Sequence, residues 1–233
     1  MKKLIPLSLA VAVLLTVLVG SSPTNVNAQG AGVVSSILNR MERNRRDMRS
    51  LRAAISMEKW NNQLREGEKA QGWLAYMPAQ GRNAYVRVEW HTPRREVLTV
   101  ADGQYQLYNQ RQNVVYEGRA TSGKKTTKAS SVLGYMNMSA AEIRSNFNAE
   151  YLGEESLYGD VRTSHLKITP KGAASYKYAE IWVDGGGNLI QAKVVERNDD
   201  STTVRLTNLQ KNDVISPDHF RQQLPDGVKR VKS

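Results

Sequence analysis

Between Tyr85 and Tyr108 the chain reads YVRVEWHTPRREVLTVADGQYQLY, three β-prone runs broken by Thr92-Pro93 and then by Asp102-Gly103. Proline has no N–H to give a strand ladder, and Asp-Gly readily takes the positive φ of a tight hairpin turn. The stretch therefore reads as an antiparallel meander. Side chains alternate across a strand, which puts Val86, Val88 and Trp90 on one face and Tyr85, Arg87 and Glu89 on the other. A sheet with one apolar face and no catalytic side chain on it is built to cover something apolar.

The rest of the chain supports a large β structure. Gly72–Met77 is a candidate strand ending at Pro78, and Asn113–Tyr116 pairs back across the Asn109–Gln112 turn. Two hairpins follow, 151–155 with 163–170 through Tyr158-Gly159-Asp160, and 179–183 with 189–196 through Asp184-Gly185-Gly186-Gly187. Thr202–Asn208 adds a further strand. Such spacing, with Gly and Asp turns, predicts a mainly antiparallel α+β protein: a large sheet or partly open barrel with helices against it.

Two segments read as helical. From Val33 to about Ile55, the residues Ile37, Met41, Met48, Leu51 and Ile55 recur every three to four positions and form one apolar stripe. Arg40, Arg43, Arg45, Arg46, Arg49 and Arg52 crowd the remaining faces, as a solvated surface or as a docking surface for anionic lipid or an acidic partner. The second helical region runs from Ser131 to about Phe147. Within it Ser139-Ala140-Ala141-Glu142 matches a capping box, with Ile143 and Phe147 sharing one side of the helix that it opens. Leu133, Met136 and their neighbours make this a concentrated apolar insertion, and methionine adapts to varied apolar shapes. A polar, Lys-bearing stretch from Gly118 to Ser130 precedes it and reads as a loop.

The start of the chain has the form of a secretory signal. Lys2 and Lys3 precede an apolar run from Leu4 to Gly20, and Val26-Asn27-Ala28 offers small residues at the cleavage site. Cleavage after Ala28 would divide the chain into a signal (1–28) and a single domain (29–233), exported to the periplasm. The absence of cysteine excludes disulfides and the lipid anchor that bacterial lipoproteins carry on a cysteine after the signal. Such a domain must rest on its hydrophobic core. The net charge of +11 would suggest nucleic acid in a cytosolic protein. In an exported one it points to anionic membrane surfaces, envelope polymers or acidic proteins.

The chain resembles the LolA family of periplasmic outer-membrane lipoprotein carriers over nearly all of the expected mature domain. The resemblance is carried by the signal and amphipathic helix, and by the Gly72…Pro78 strand leading to Arg87-Val88-Glu89-Trp90-His91-Thr92-Pro93 and Ala101-Asp102-Gly103. The paired Ile181-Trp182-Val183-Asp184…Gly187-Asn188-Leu189-Ile190 and the ending Phe220…Leu224-Pro225-Asp226-Gly227-Val228 complete it. It implies an unclosed β-barrel whose concave apolar face is covered by helices. It also implies a cavity that takes lipoprotein acyl chains from an inner-membrane ABC transporter and passes them to an outer-membrane acceptor.

On that expectation the sheet lines the cavity with Leu74, Tyr76, Val86, Val88, Trp90, Leu98 and Val100. The lid lines it with Leu133, Met136, Ile143 and Phe147. In the family an arginine directly before the strand-closing proline hydrogen-bonds the lid; here Met77 stands in that place, leaving Arg87 as the candidate donor. The receptor that shares the fold is disfavoured because it needs a lipid-bearing cysteine. A sensor or adaptor on the same scaffold and a module binding anionic glycolipid are the alternative readings. The expected form is a monomer.

No residue pattern suggests catalysis or a cofactor. His91, His165 and His219 fall on separate segments outside any HExxH arrangement, and neither a G-x-S-x-G elbow nor a phosphate loop occurs. Gly185-Gly186-Gly187 sits in a hairpin turn rather than before a helix, and the Glu154-Glu155 and Asp199-Asp200 pairs sit at turns. The sequence therefore leads to the expectation of a protein that is not an enzyme and holds no metal.

Overall fold

The meander's runs are strands β3 (Tyr85–Thr92), β4 (Glu96–Ala101) and β5 (Gln104–Asn109) of a computed structural model that describes residues 26–78, 84–120, 134 and 138–232. Asp102 and Gly103 turn the chain with φ of 50° and 73°, the paired positive values of a tight hairpin. Register confirms the face assignment: Val86 opposes Val100 and Val88 opposes Leu98.

Before the meander come helix α1 (Val26–Asp47) and strands β1 (Leu51–Asn61) and β2 (Glu66–Met77). After it come β6 (Val114–Arg119), the short helix α2 (Ala140–Asn146), and strands β7 (Phe147–Leu157), β8 (Val161–Pro170), β9 (Tyr176–Asp184), β10 (Leu189–Glu196) and β11 (Ser201–Lys211). A 3-10 turn at Pro217–Phe220 and strand β12 (Lys229–Lys232) finish the chain. The described strands form one 12-stranded sheet in the order β12-β6-β5-β4-β3-β2-β1-β11-β10-β9-β8-β7. All neighbours are antiparallel except β12, which runs parallel to β6. The two edge strands, β12 and β7, do not pair, so the barrel is unclosed.

The first helix is shorter than its stripe predicts. It ends at Asp47, and Leu51 and Ile55 belong to β1, which pairs with β2 on one side and β11 on the other. A spacing of four residues fits one helical turn and two strand repeats equally well, so Leu51 and Ile55 satisfied both patterns. The choice is made by Asn212 at the far end of β11. Its Oδ1 accepts from the Arg49 N–H at 2.7 Å, and its Nδ2 donates to the Asp47 carbonyl at 3.4 Å. The chain then enters the ladder with Leu51, Ala53 and Ile55 buried in alternation.

Phe147 is the first residue of β7 rather than part of the second helix, although it stays in the same core as Ile143. The capping box forms as read: Ser139 Oγ accepts from the Glu142 N–H at 3.1 Å, and Glu142 Oε2 accepts from the Ser139 N–H at 2.8 Å. The expected signal core, most of the Lys-bearing loop, Leu133 and Met136 lie outside the described residues.

Candidate functional site

The inner face of the sheet is apolar from one half to the other. Cross-strand partners build it row by row. One row runs Ala53, Leu74, Val88, Leu98 and Leu107 from β1 to β5. On the other side of β1, a second row on the same face runs Met57, Val204, Ala192, Ile181, Leu166 and Tyr151 from β1 to β7. Directly opposed apolar pairs of this kind stabilise a sheet while giving helices a continuous surface to pack on.

Helix α1 lies on this surface through Val34, Ile37, Leu38 and Met41, and α2 through Ala140 and Ile143, all within one hydrophobic core. Close approach is secured at Gly187, where φ is 83° and a Cβ would collide with the Arg40 carbonyl of α1. The Arg40 guanidinium also donates to Ser164 Oγ on β8 at 3.2 Å. Part of the arginine-rich surface of α1 thus serves the docking of the helix rather than solvent.

The two helices hold each other through polar contacts. Glu42 Oε2 accepts from the Ala140 N–H at 3.1 Å, and Arg144 donates to Asn39 Oδ1 at 2.8 Å and to Ser35 Oγ at 3.4 Å. Hydrogen bonds from Arg45, Ala140 and Arg46 bring the Glu42 carboxyl down to about 2 against the opposing effect of its partial burial. Tyr76 beneath them has its hydroxyl pushed up by burial, with the Arg45 charge acting the other way.

Of the sheet positions expected to line a cavity, Leu74, Tyr76, Val88, Trp90 and Leu98 are buried in this core and Val86 packs against it half-buried. Val100, opposite Val86 and Tyr105, lies half-buried on the same face. The lid positions Ile143 and Phe147 join the same core.

The two proposed lid contacts do not face it. Met77 packs with Ala75, Ile215 and Phe220 on the outer face of the sheet. Arg87 is held there too, donating to the His219 carbonyl at 3.1 Å and to Glu89 at 2.5 Å. The reason is strand parity: Met77 and Ala75 alternate with Tyr76 and Leu74, and Arg87 pairs with Ala75. Arg87 therefore fastens the C-terminal segment, and the contact between covering helices is made by Glu42 instead.

Sequence reasoning missed the β7–β11 half of the inner face, including Leu166, Ile168, Ile181 and Val204. The signal of Leu166, Ile168 and Val204 was present as alternation in the stretches 164–168 and 202–206, where every second residue is buried. Met48, which belonged to the expected stripe, and Met138 pack against the core from its margin.

An unclosed antiparallel sheet with helices sealing its apolar inner face defines a class of half-barrels with a coverable interior. The model of the outer membrane lipoprotein carrier protein LolA matches residues 65–223, and the chain belongs to that family. Among solved structures, an uncharacterized conserved protein from Thermus thermophilus is similar at 10% identity, over 86% of this chain and 99% of that one, with a TM-score of 0.55. A chain of the Pseudomonas aeruginosa MucA/MucB complex is similar at 14% identity, over 82% of this chain and 61% of that one, with a TM-score of 0.51. At these identities the likeness is one of fold. No curated protein matches the chain.

Proposed function

We propose that this chain is a periplasmic carrier, exported by a signal cleaved after Ala28, that shelters lipoprotein acyl chains between its sheet and its helices. In this reading an inner-membrane ABC transporter loads it and an outer-membrane acceptor unloads it. The protein binds and releases without chemistry. The observation that carries the reading is the inner face itself, an apolar surface from β5 to β7 that, among the described residues, is covered by two helices rather than by a second sheet. Membership of the lipoprotein carrier family supports the same cargo class.

The physics of a carrier needs this arrangement. Each methylene removed from water is worth about 0.8 kcal/mol, so even one half-buried chain contributes several kcal/mol. A soluble carrier must also give up its load, and side chains of α1 and α2 that refill the space when it empties make release possible.

Mass spectrometry of material co-purifying with the native protein identifies the cargo, and Val86→Glu, at a half-buried position of the same inner face, should abolish its uptake while circular dichroism shows the fold retained. Unchanged lipid in that variant would refute the cavity. Transfer between donor and acceptor vesicles separates a carrier, which moves cargo, from a sensor or adaptor, which only holds it. Binding that falls steeply with salt would instead favour the anionic glycolipid module.

A further inference from the structure

The outer face of the sheet is covered on either side of an open stripe. Over β3 to β5 and the end of β2 it carries the C-terminal segment, whose Ile215 and Phe220 pack with Ala75. Toward β7 to β10, Leu157, Trp182 and Ile190 close it by packing on one another. Between them, along β11, β1 and β2, two tryptophans stand open: Trp60 is 39% exposed and Trp73 54%. Strand parity puts both on this face, since Met57 and Leu74, at odd spacings from them, pack into the inner core.

Trp60 sits opposite Gly67 on β2, so the two indoles stand about 20 Å apart along the hairpin, at the strand rise of about 3.4 Å per residue. Small neighbours keep them open. The Trp60 ring lies against Gly67, where a Cβ would come within 3.3 Å of its Cε3. Trp73 has Ala54 across the ladder and Ala75 next on its own strand face.

The ground between them is polar and cationic. Ser56 lies between Gln71 and Arg205, and Glu58 is opposite Lys69. Arg205 gives its Nε–H to Gln191 Oε1 at 2.7 Å, which fixes the guanidinium and leaves its Nη groups for an acceptor. Arg52 follows on the same face, opposite Ala75. Lys69 lies 3.8 Å from Glu58, the one carboxylate among the described residues of the stripe, so Arg52 and Arg205 set its charge. Glu89, beside Trp73 on β3, is already taken by Arg87.

These features select a partner. β1 is paired on both sides, so a peptide cannot add here as a strand and recognition must come through side chains. Both tryptophans lie within strands rather than on a projecting loop, a poor placement for entering a bilayer. A linear polysaccharide fits the stripe. Its sugar rings present flat C–H faces that stack on indole, and its hydroxyls reach the polar residues between. Carboxylates on the sugars make charge-assisted hydrogen bonds to guanidinium groups.

We propose that this stripe binds an acidic, β-linked polysaccharide laid along the β1–β2 hairpin. Its rings stack on Trp60 and Trp73, and its carboxylates pair with Arg205 and Arg52. The stripe lies on the face away from the helices, so the site goes beyond the carrier reading and does not depend on it.

Calorimetry on the protein with two probes of one backbone tests this: β-linked glucuronic acid oligomers and cello-oligosaccharides, which differ in carboxylate against hydroxymethyl. The acidic oligomer should bind about tenfold tighter, with an affinity that falls as salt rises. Trp73→Ala, checked for folding by circular dichroism, should weaken it about tenfold. Arg52→Gln combined with Arg205→Gln should erase the preference for the acidic probe. Leu64→Ala, exposed at the β1–β2 tip outside the stripe, should change nothing. Equal affinities for the two probes in the unaltered protein, or full binding in Trp73→Ala, would overturn the proposal. So would failure of both oligomers to bind, including the case where phosphatidylglycerol vesicles bind through the same tryptophans instead.

Discussion

Glu42 of α1 accepts a hydrogen bond at 3.1 Å from the backbone N–H of Ala140, the first residue of α2. The same carboxylate pairs with Arg45 at 2.7 Å and Arg46 at 3.0 Å. One side chain thus gathers the end of the first helix and the start of the second into a single cover. Each helix is also anchored independently, α1 by its apolar stripe and α2 by Ile143.

Removing this acceptor should loosen the cover without unfolding the sheet. Glu42→Ala leaves the Ala140 N–H and two guanidinium groups to water, at an expected cost of about 1–3 kcal/mol, reduced by the partial exposure of the arginines. Urea denaturation measures the loss. Hydrogen exchange at the Ala140 amide should quicken, and an unchanged rate would show that the contact does not hold the helices.

Acid should have a related effect. The Glu42 carboxyl lies at about 2 in the folded protein against an ordinary 4.5. A lowered folded value means that its contribution is present above 4.5 and is lost as pH falls from there through about 2. A titration of stability over that window should show a smaller loss in Glu42→Gln than in the unaltered chain. Identical profiles would remove Glu42 from the account.

Leu74 is 3% exposed in the middle of the inner face. Leu74→Ala should cost about 2–5 kcal/mol, toward the lower end where the covering helices settle into the vacated space. Thermal and urea unfolding measure it, and a loss well under 1 kcal/mol would mean that the face is not packed.

Gly187→Ala should dislodge α1. The position combines φ of 83° with a collision against the Arg40 carbonyl, and the neighbour is backbone that cannot swing away. A destabilisation of about 1–3 kcal/mol or more is expected, with α1 becoming sensitive to limited proteolysis. Protease resistance equal to the unaltered chain would contradict the contact.

Arg87→Ala separates the outer face from the inner one. It removes the donor to the His219 carbonyl and should release the C-terminal segment at a cost of about 1.5–3 kcal/mol, typical of hydrogen bonds from charged groups. Acyl-probe affinity should not change. A large fall in affinity would restore Arg87 as a contact of the cover.

Much of the sheet was legible because its signals are local. Alternation set the faces of Val86, Val88 and Trp90, the Asp102-Gly103 turn set the β4–β5 register, and Ser139 with Glu142 marked the start of α2. Each depends on residues within a few positions of one another. The extent of α1 was not legible in this way, since the residue that ends it, Asn212, comes at the close of β11. The parity of Met77 was fixed once Tyr76 was placed inward, but its partners Ile215 and Phe220 lie far along the chain.

The sequence by itself therefore determined a mainly antiparallel sheet with one apolar face and helices to cover it, because patterning and turn chemistry act over short range. Only the tertiary structure decided that β1 joins β11 at the centre of the sheet, that Met77 and Arg87 belong to the outer face, and that Glu42 binds the two helices together. Those outcomes depend on which distant backbone groups and side chains meet. Long-range hydrogen bonds and packing choose among local patterns that a single stretch of sequence leaves equally satisfied.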